Sequence, residues 1–284
     1  MNNQPLALNN KPAMPKLELR SLGKVFPHPD KPLTVFQDIN VYVKPNEFVC
    51  IVGPSGCGKS TLLNIAAGLL QPSSGQVLVD GISVPGPGAD RGMVFQSYTL
   101  FPWLTVAQNI GFGLTLQRIS RKARKQQIAY YLEVVGLTQF ARAYPKQLSG
   151  GMKQRVAIAR ALANNPEVLL MDEPLGALDA QTREQMQQFL LELWEKTHTT
   201  ILTITHDIEE AIFLSERIYV MSAHPGRIQQ EFCIDLPHPR SLDIKLTAEF
   251  IEIKRQVIQA LQARSQEINP EPESTESFPV HRHQ

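Results

Sequence analysis

Gly53, Pro54, Ser55, Gly56, Cys57, Gly58, Lys59, Ser60 and Thr61 follow one another in the chain, filling every position of the spacing G-x-x-x-x-G-K-[ST]. An apolar run from Glu47 to Val52 precedes them and Leu62 to Ala67 follow. The order is therefore strand, glycine-rich loop, helix. Glycines let the backbone turn tightly, so that successive N–H groups face one anion. The helix adds the positive end of its dipole and its unsatisfied N–H groups. Such a nest suits the phosphates of a nucleotide. Lys59 is placed to reach the β- and γ-phosphates, and the Ser60 hydroxyl to ligate Mg2+. A flexible Gly/Ser turn is the plainer reading, but it leaves the complete motif between strand and helix unexplained.

Three more candidates stand where apolar runs end. Val168 to Met171 runs into Asp172 and Glu173, Thr200 to Thr205 ends at His206, and Gly92 to Phe95 ends at Gln96. Buried strands alternating with helical segments predict a mainly parallel sheet covered on both faces. Such sheets bind ligands at the carboxyl ends of their strands, so all four groups belong to one expected site. A carboxylate there holds Mg2+, usually through water, which is the role expected of Asp172. Glu173 is placed to polarise an attacking water. His206 is expected to contact the γ-phosphate or orient that water, and Gln96 to reach metal or water. An acidic strand end facing solvent and a structural histidine are the plainer alternatives.

A second helix start is marked by Ser149, Gly150 and Gly151, before Val156, Ala159, Leu162 and Ala163 on an apolar side. It reads as another anion-binding helix end or as an ordinary serine N-cap. One nucleotide in one subunit does not need it. A nucleotide held by another subunit would.

The elements that must position these residues follow from pattern. Residues 1–15 read as a loose lead-in. Lys16 to Arg20, Leu33 to Phe36 and Asp38 to Val43 read as strands, with Phe26 to Pro32 a loop. Gln71 to Gly75 is a turn, Gln76 to Asp80 a strand, and residues 84–90 a loop. Helical signals dominate about 97–165, with Ser120 as a cap and Ile128, Leu132 and Val135 on one face. Arg121, Lys122, Arg124 and Lys125 read as a solvated face, lipid headgroups or a partner being the alternative. A long helix is expected at 180–196, another from Asp207 to Leu214, and a strand from Arg217 to Met221. Phe250, Ile253, Val257 and Leu261 place a helix within 241–266, and 267–284 reads as disordered.

Composition limits the class. The chain has 284 residues, 43% hydrophobic and 19% charged, with a formal net charge of +1. That charge leaves no overall footprint for nucleic acid. No apolar run reaches the roughly 18 residues of a spanning helix, and the first residues lack a signal-peptide pattern. Cys50, Cys57 and Cys233 show no paired spacing for disulfides or zinc, so a reducing, cytoplasmic compartment is expected. Cys57, inside the loop, should make nucleotide binding sensitive to a bulky thiol reagent.

Taken together these motifs resemble the ATP-binding subunit of an ABC transporter over about residues 16–235, within an ATPase domain of 16–240. Leu148 to Met152 is similar to the family signature Leu-Ser-Gly-Gly-Gln, with Met152 in place of glutamine. Phe26 resembles the aromatic that stacks on adenine, although its loop is longer than in simple members. Gln96 matches the Q-loop, Asp172 and Glu173 the Walker B pair, Leu175 to Asp179 the D-loop, and His206 the switch histidine. The resemblance implies a P-loop NTPase (RecA-like) α/β core with a mainly parallel sheet, an N-terminal antiparallel β region and an inserted α-helical subdomain. It also implies ATP and Mg2+ as ligands, and two ATPase subunits, identical or not, bound head to tail. Each phosphate loop would then face the partner's signature segment. Separate transmembrane permease subunits would dock near Gln96 to Trp103, and a solute-binding protein would act through them, at the cytoplasmic face of the membrane. Residues 88–96, 100–105 and 224–228 look like the nitrate/sulfonate/taurine importer branch, which includes bicarbonate systems. The rival readings are a soluble nucleic-acid or ribosome-associated ATPase of the same type and a regulatory module without turnover. The first usually has two cassettes or a long coiled-coil insertion, and the second does not need Glu173 and His206.

Overall fold

The computed structural model describes residues 14–223 and 225–262. The chain opens with a hairpin of β1 (Leu17–Phe26) and β2 (Leu33–Val43). The short buried strand β3 (Phe48–Val52) leads into α1 (Lys59–Ala66). β4 (Ser74–Val79) and β5 (Ile82–Ser83) return to the hairpin and complete an antiparallel sheet of order β2-β1-β4-β5. β6 (Arg91–Val94) then enters a second sheet. The helical lobe follows: α2 (Val106–Ile110), α3 (Phe112–Leu116), α4 (Arg121–Val134) and α5 (Gly150–Leu162).

The chain comes back as β7 (Val168–Asp172), α6 (Ala180–Thr197), β8 (Thr200–Thr205), α7 (Ile208–Leu214), β9 (Arg217–Met221) and β10 (Ile228–Cys233). A short 3-10 turn at Leu242–Leu246 precedes α8 (Ala248–Gln262). The second sheet has the order β10-β9-β3-β8-β7-β6 and is parallel except for β10. Every residue of β3, β7, β8 and β9 is buried, which is why these strands read as predominantly apolar runs.

Alternate residues of those strands serve two cores. Val49, Ile51, Leu170 and Leu202 face α1 and the antiparallel sheet. Phe48, Cys50, Leu169 and Met171 face the layer containing α5, α6, α7 and α8. The fully buried Phe48 and Phe213 anchor that second core; truncating either to alanine should cost about 3–5 kcal/mol.

Several boundaries differ from expectation. β1 runs on to Phe26, which pairs with Leu33 rather than opening a loop. The two expected runs at 33–36 and 38–43 are one strand, continued through Asp38 at φ 52°. Ser74 and Gly75 lie in β4, not in a turn. β10 was not anticipated: it mixes Gln229, Gln230 and Glu231 with apolar residues and none of it is fully buried, as an antiparallel edge allows. The expected helix within 241–266 is the 3-10 turn plus α8. The lead-in residues 1–13, His224 and the expected disordered 267–284 lie outside the described residues.

A parallel bridge pairs Phe36 with Gly226, joining the two sheets beside the glycine-rich loop. At the opposite end of β9 from that bridge, Arg217 donates to Glu47 and Glu231 in a buried ion pair and lies 4.3 Å over the Tyr42 ring of β2.

Candidate active site

β3 delivers the glycine-rich loop at the carboxyl edge of the parallel sheet, and α1 starts at Lys59. Gly58 caps α1 at φ 102°, and a Cβ there would stand 2.6 Å from Val35 Cγ1. Only glycine meets both demands. Lys59 Nζ donates to the carbonyls of Gly53 at 2.7 Å and Pro54 at 3.0 Å, and Lys59 is 5% exposed. The ammonium thus stays inside the loop, ready to exchange carbonyl acceptors for stronger anionic ones. Cys57 is buried, and burial pushes its thiol up despite Lys59 nearby.

Asp172 ends β7. Ser60 Oγ donates to its Oδ1 at 3.0 Å, tying the first turn of α1 to the neighbouring strand. Burial raises the Asp172 pKa, opposed by the Ser60 bond; adjacent Glu173 raises it further and Lys59 lowers it. Two adjoining carboxylates in a half-buried setting would be relieved by a divalent cation. No group of three His, Cys, Asp or Glu suited to a metal occurs among the described residues. The chain therefore offers a hydroxyl and a carboxylate, the sparse set that Mg2+ accepts when phosphates and water complete its shell.

Glu173 sits in the left-handed region at φ 42°, and its N–H donates to the Ile204 carbonyl at 3.0 Å. This turn brings its carboxylate between two neighbours. Gln96 Nε2 donates to Glu173 Oε2 at 3.3 Å, and His206 Nδ1 lies 3.1 Å from the same oxygen. Sheet order explains the convergence, since β6, β7 and β8 are adjacent and each of these residues follows one of them. One carboxylate oxygen thus connects the end of β6 to the start of α7.

Two expected groups make their contacts elsewhere. Phe26 ends the hairpin, half-exposed, with Lys24 Nζ 4.8 Å over its ring. Ser149 Oγ accepts from the Met152 N–H at 3.3 Å and caps α5. Gly150 and Gly151 crowd against Tyr98, Leu178 and Thr182, where a Cβ on Gly151 would come 2.8 Å from Thr182 Cγ2. Within the subunit these glycines let α5 approach α6.

Two features escaped sequence reasoning. Arg160 donates to the Thr99 carbonyl at 2.7 Å and packs 5.5 Å from the Phe101 ring, holding the segment after Gln96. Glu210, three residues after the Asp207 cap of α7, is buried beneath the His206 turn; the Asp-x-x-Glu spacing of a helix start was its only signal. A groove of about 540 Å³ opens beyond Gln96, lined by Phe95, Phe101, Phe112, Leu116 and Arg160. A neighbouring cleft of about 490 Å³ includes Trp103 and Ile128. Trp103 is 70% exposed, so the stretch expected to dock a permease, Gln96 to Trp103, ends in an exposed aromatic side chain.

A family model described as "ABC transporter" matches residues 36–176. The nitrate import ATP-binding protein of Synechocystis is 52% identical over 257 residues, covering 88% of this chain and 97% of that relative. The taurine import ATP-binding protein of Pelagibacter ubique is 44% identical, covering 90% and 98%. Among solved structures, the dimeric ABC transporter cassette MJ0796 is 37% identical, with a TM-score of 0.68 over 78% of this chain and 100% of that one. The same cassette has been seen as a post-hydrolysis dimer bound to ADP and Pi, which matches at 36% identity and a TM-score of 0.68 over the same shares of the two chains.

Proposed function

The chain belongs to the ABC transporter family, and we propose that it hydrolyses ATP as the nucleotide-binding subunit of an importer for a small anion: nitrate or nitrite, bicarbonate, or an alkyl sulfonate such as taurine. The names of the nitrate and taurine relatives support the substrate class. Residues 53–61 bind the phosphates, with Lys59 turning from its loop carbonyls to the β- and γ-phosphates. Phe26 takes the adenine. Ser60 and Asp172, with Gln96, would hold Mg2+, which spreads the phosphate charge. Glu173 polarises the attacking water, and His206 and Gln96 orient that carboxylate.

The working unit is a head-to-tail pair of ATPase subunits, in which Ser149, Gly150 and Gly151 of one face the phosphate loop of the other. That both signature glycines are already in contact on their inner side is consistent with an outward N-terminus of α5 left for a partner. ATP favours the closed pair because it touches both subunits only there. The subunit lies at the cytoplasmic face of the membrane without crossing it, since none of its described helices is long and apolar enough. Permease subunits seat in the groove beyond Gln96, and a solute-binding protein delivers the anion to them. The single observation that carries this reading is the shared Glu173 oxygen. It links the carboxylate assigned to hydrolysis to Gln96, which follows Phe95 of the groove lining, and to His206.

The test is uptake by the intact complex, reconstituted with its solute-binding protein, across nitrate, bicarbonate and taurine. ATP-dependent uptake of one of them is expected. ATP hydrolysis by a chain that never co-purifies with a membrane protein would refute the importer assignment.

A further inference from the structure

The net charge of +1 conceals a segregation. Residues 91–166 carry eleven Lys and Arg against a single acid, Glu133, whereas 167–284 carry ten against twenty. All cations of the positive stretch except Arg91, which lies in β6 and pairs with Asp90, belong to the helical lobe. Five of its cations fall within eight residues: Arg118, Arg121, Lys122, Arg124 and Lys125. None has an ion-pair partner among the described residues. Arg124 donates to the Thr115 hydroxyl at 2.9 Å, and the other four are exposed.

Helix stability does not account for them. Arg121 and Lys125 are four residues apart, and Lys122 and Lys125 three, so like charges meet on adjacent turns. The first turn of α4 contains no acid, and cations there oppose the helix dipole. Both charge rules are broken in the same direction, although Ser120 caps the helix, and an anion outside the chain would reverse them.

The surroundings indicate what kind of anion. Trp103, Leu116 and Tyr130 are 70%, 69% and 52% exposed, and Arg124 shares a cleft with Trp103 and Leu116. Lys and Arg interleaved with exposed Trp, Tyr and Leu is the composition of surfaces that lie on a bilayer interface. The four exposed cations are not held in fixed geometry by neighbours. That suits the diffuse charge of headgroups better than a discrete set of carboxylates.

We propose that Arg118, Arg121, Lys122 and Lys125 rest on anionic lipid headgroups of the cytoplasmic leaflet, beside the groove that receives the permease. The orientation rests on the importer reading; the lipid contact is a property of the chain alone. The experiment floats the purified full-length protein with vesicles of phosphatidylcholine, with and without phosphatidylglycerol. Partition onto the anionic vesicles is expected, weakening as salt rises. Each cation near the surface contributes about fivefold. Replacing Arg121, Lys122 and Lys125 together by glutamine should therefore lower partition on the order of a hundredfold. ATP hydrolysis should be unchanged, and Arg121→Lys should retain binding. Equal partition onto both vesicles, no partition, or full retention by the triple variant would overturn the proposal. So would cross-linking of the cluster to acidic permease loops without vesicle binding, which would assign it to a protein partner. Because no permease is present, a negative uptake assay leaves this result standing.

Discussion

Glu210 offers a measurement in which sign and size both follow from burial. Its side chain is 2% exposed, and its Oε1 lacks a hydrogen-bond partner among the described residues. Burial, assisted by Asp207 and opposed by Arg183, pushes its carboxyl up to about 8, with Glu173 a smaller contributor. In an unfolded chain a glutamate titrates near ~4.3. Between those values the folded protein holds a proton that the unfolded chain has released. The unfolded state binds fewer protons, so this group makes stability fall as pH rises, by about 1.4 kcal/mol per unit. From the acid side to neutral pH the loss accumulates to about 3–4 kcal/mol. Glu210→Gln keeps the shape and carries no titrating proton, at the cost of an unpaired buried N–H of about 1–3 kcal/mol. The two effects should balance near pH ~6, with the variant more stable above it. Urea midpoints of both proteins, followed by far-UV circular dichroism from about pH 5 to 8, report the difference directly, because other groups titrate in both. A wild-type-minus-variant difference that does not change with pH would refute the reasoning.

Lys59→Ala removes the ammonium from the phosphate nest, and turnover should fall by roughly a hundredfold or more in a phosphate-release assay; wild-type hydrolysis would end the phosphate-loop assignment. Glu173→Gln spares the proposed binding residues and removes the carboxylate proposed to polarise the water, so hydrolysis should drop by about 10²–10⁴ while ATP produces a stable dimer on gel filtration. Normal turnover there would take the role from Glu173. Cys233 is exposed whereas Cys57 is buried with its thiol pushed up. A maleimide should therefore label Cys233 first without loss of ATP binding, and block binding only on slower reaction at Cys57. Peptide mapping that finds Cys57 fully labelled with binding intact would contradict its placement.

The four buried strands were legible because a parallel strand covered on both faces must be mainly apolar, and β3, β7, β8 and β9 are, with polar residues only at their ends and in the threonines of β8. The glycine-rich loop was legible because its backbone tolerates few residue types at Gly58. Asp172, Glu173, His206 and Gln96 could be placed at strand ends from pattern alone. Their meeting could not, because it depends on β6, β7 and β8 being neighbours, and pairing order is a long-range property. β10 escaped because an edge strand shares its polarity with loops. The break expected between Phe36 and Asp38 was misleading because Gln37 and Asp38 form an irregularity inside one strand, with pairing to β1 resuming on either side at Phe36 and Ile39. Glu210 gave no sign of burial, since an acid near a helix start is ordinary on a surface. Nor can one chain display what Ser149 to Gly151 face across a dimer.

The Phe36–Gly226 bridge bears on how the protein is made. Gly226 lies under the glycine-rich loop, and a Cβ there would stand 2.5 Å from the Cys57 carbonyl. β3 has β8 and β9 as its two partners. A ribosome that has synthesised the whole phosphate motif has therefore made a strand with no neighbours and a loop with no floor. The strand must wait for β8 and β9, and the loop for Gly226, about 165 residues past Thr61 and roughly ten seconds or more of elongation. ATP cannot act as an early template for folding, and nucleotide affinity should appear late and abruptly as nascent chains lengthen past Gly226.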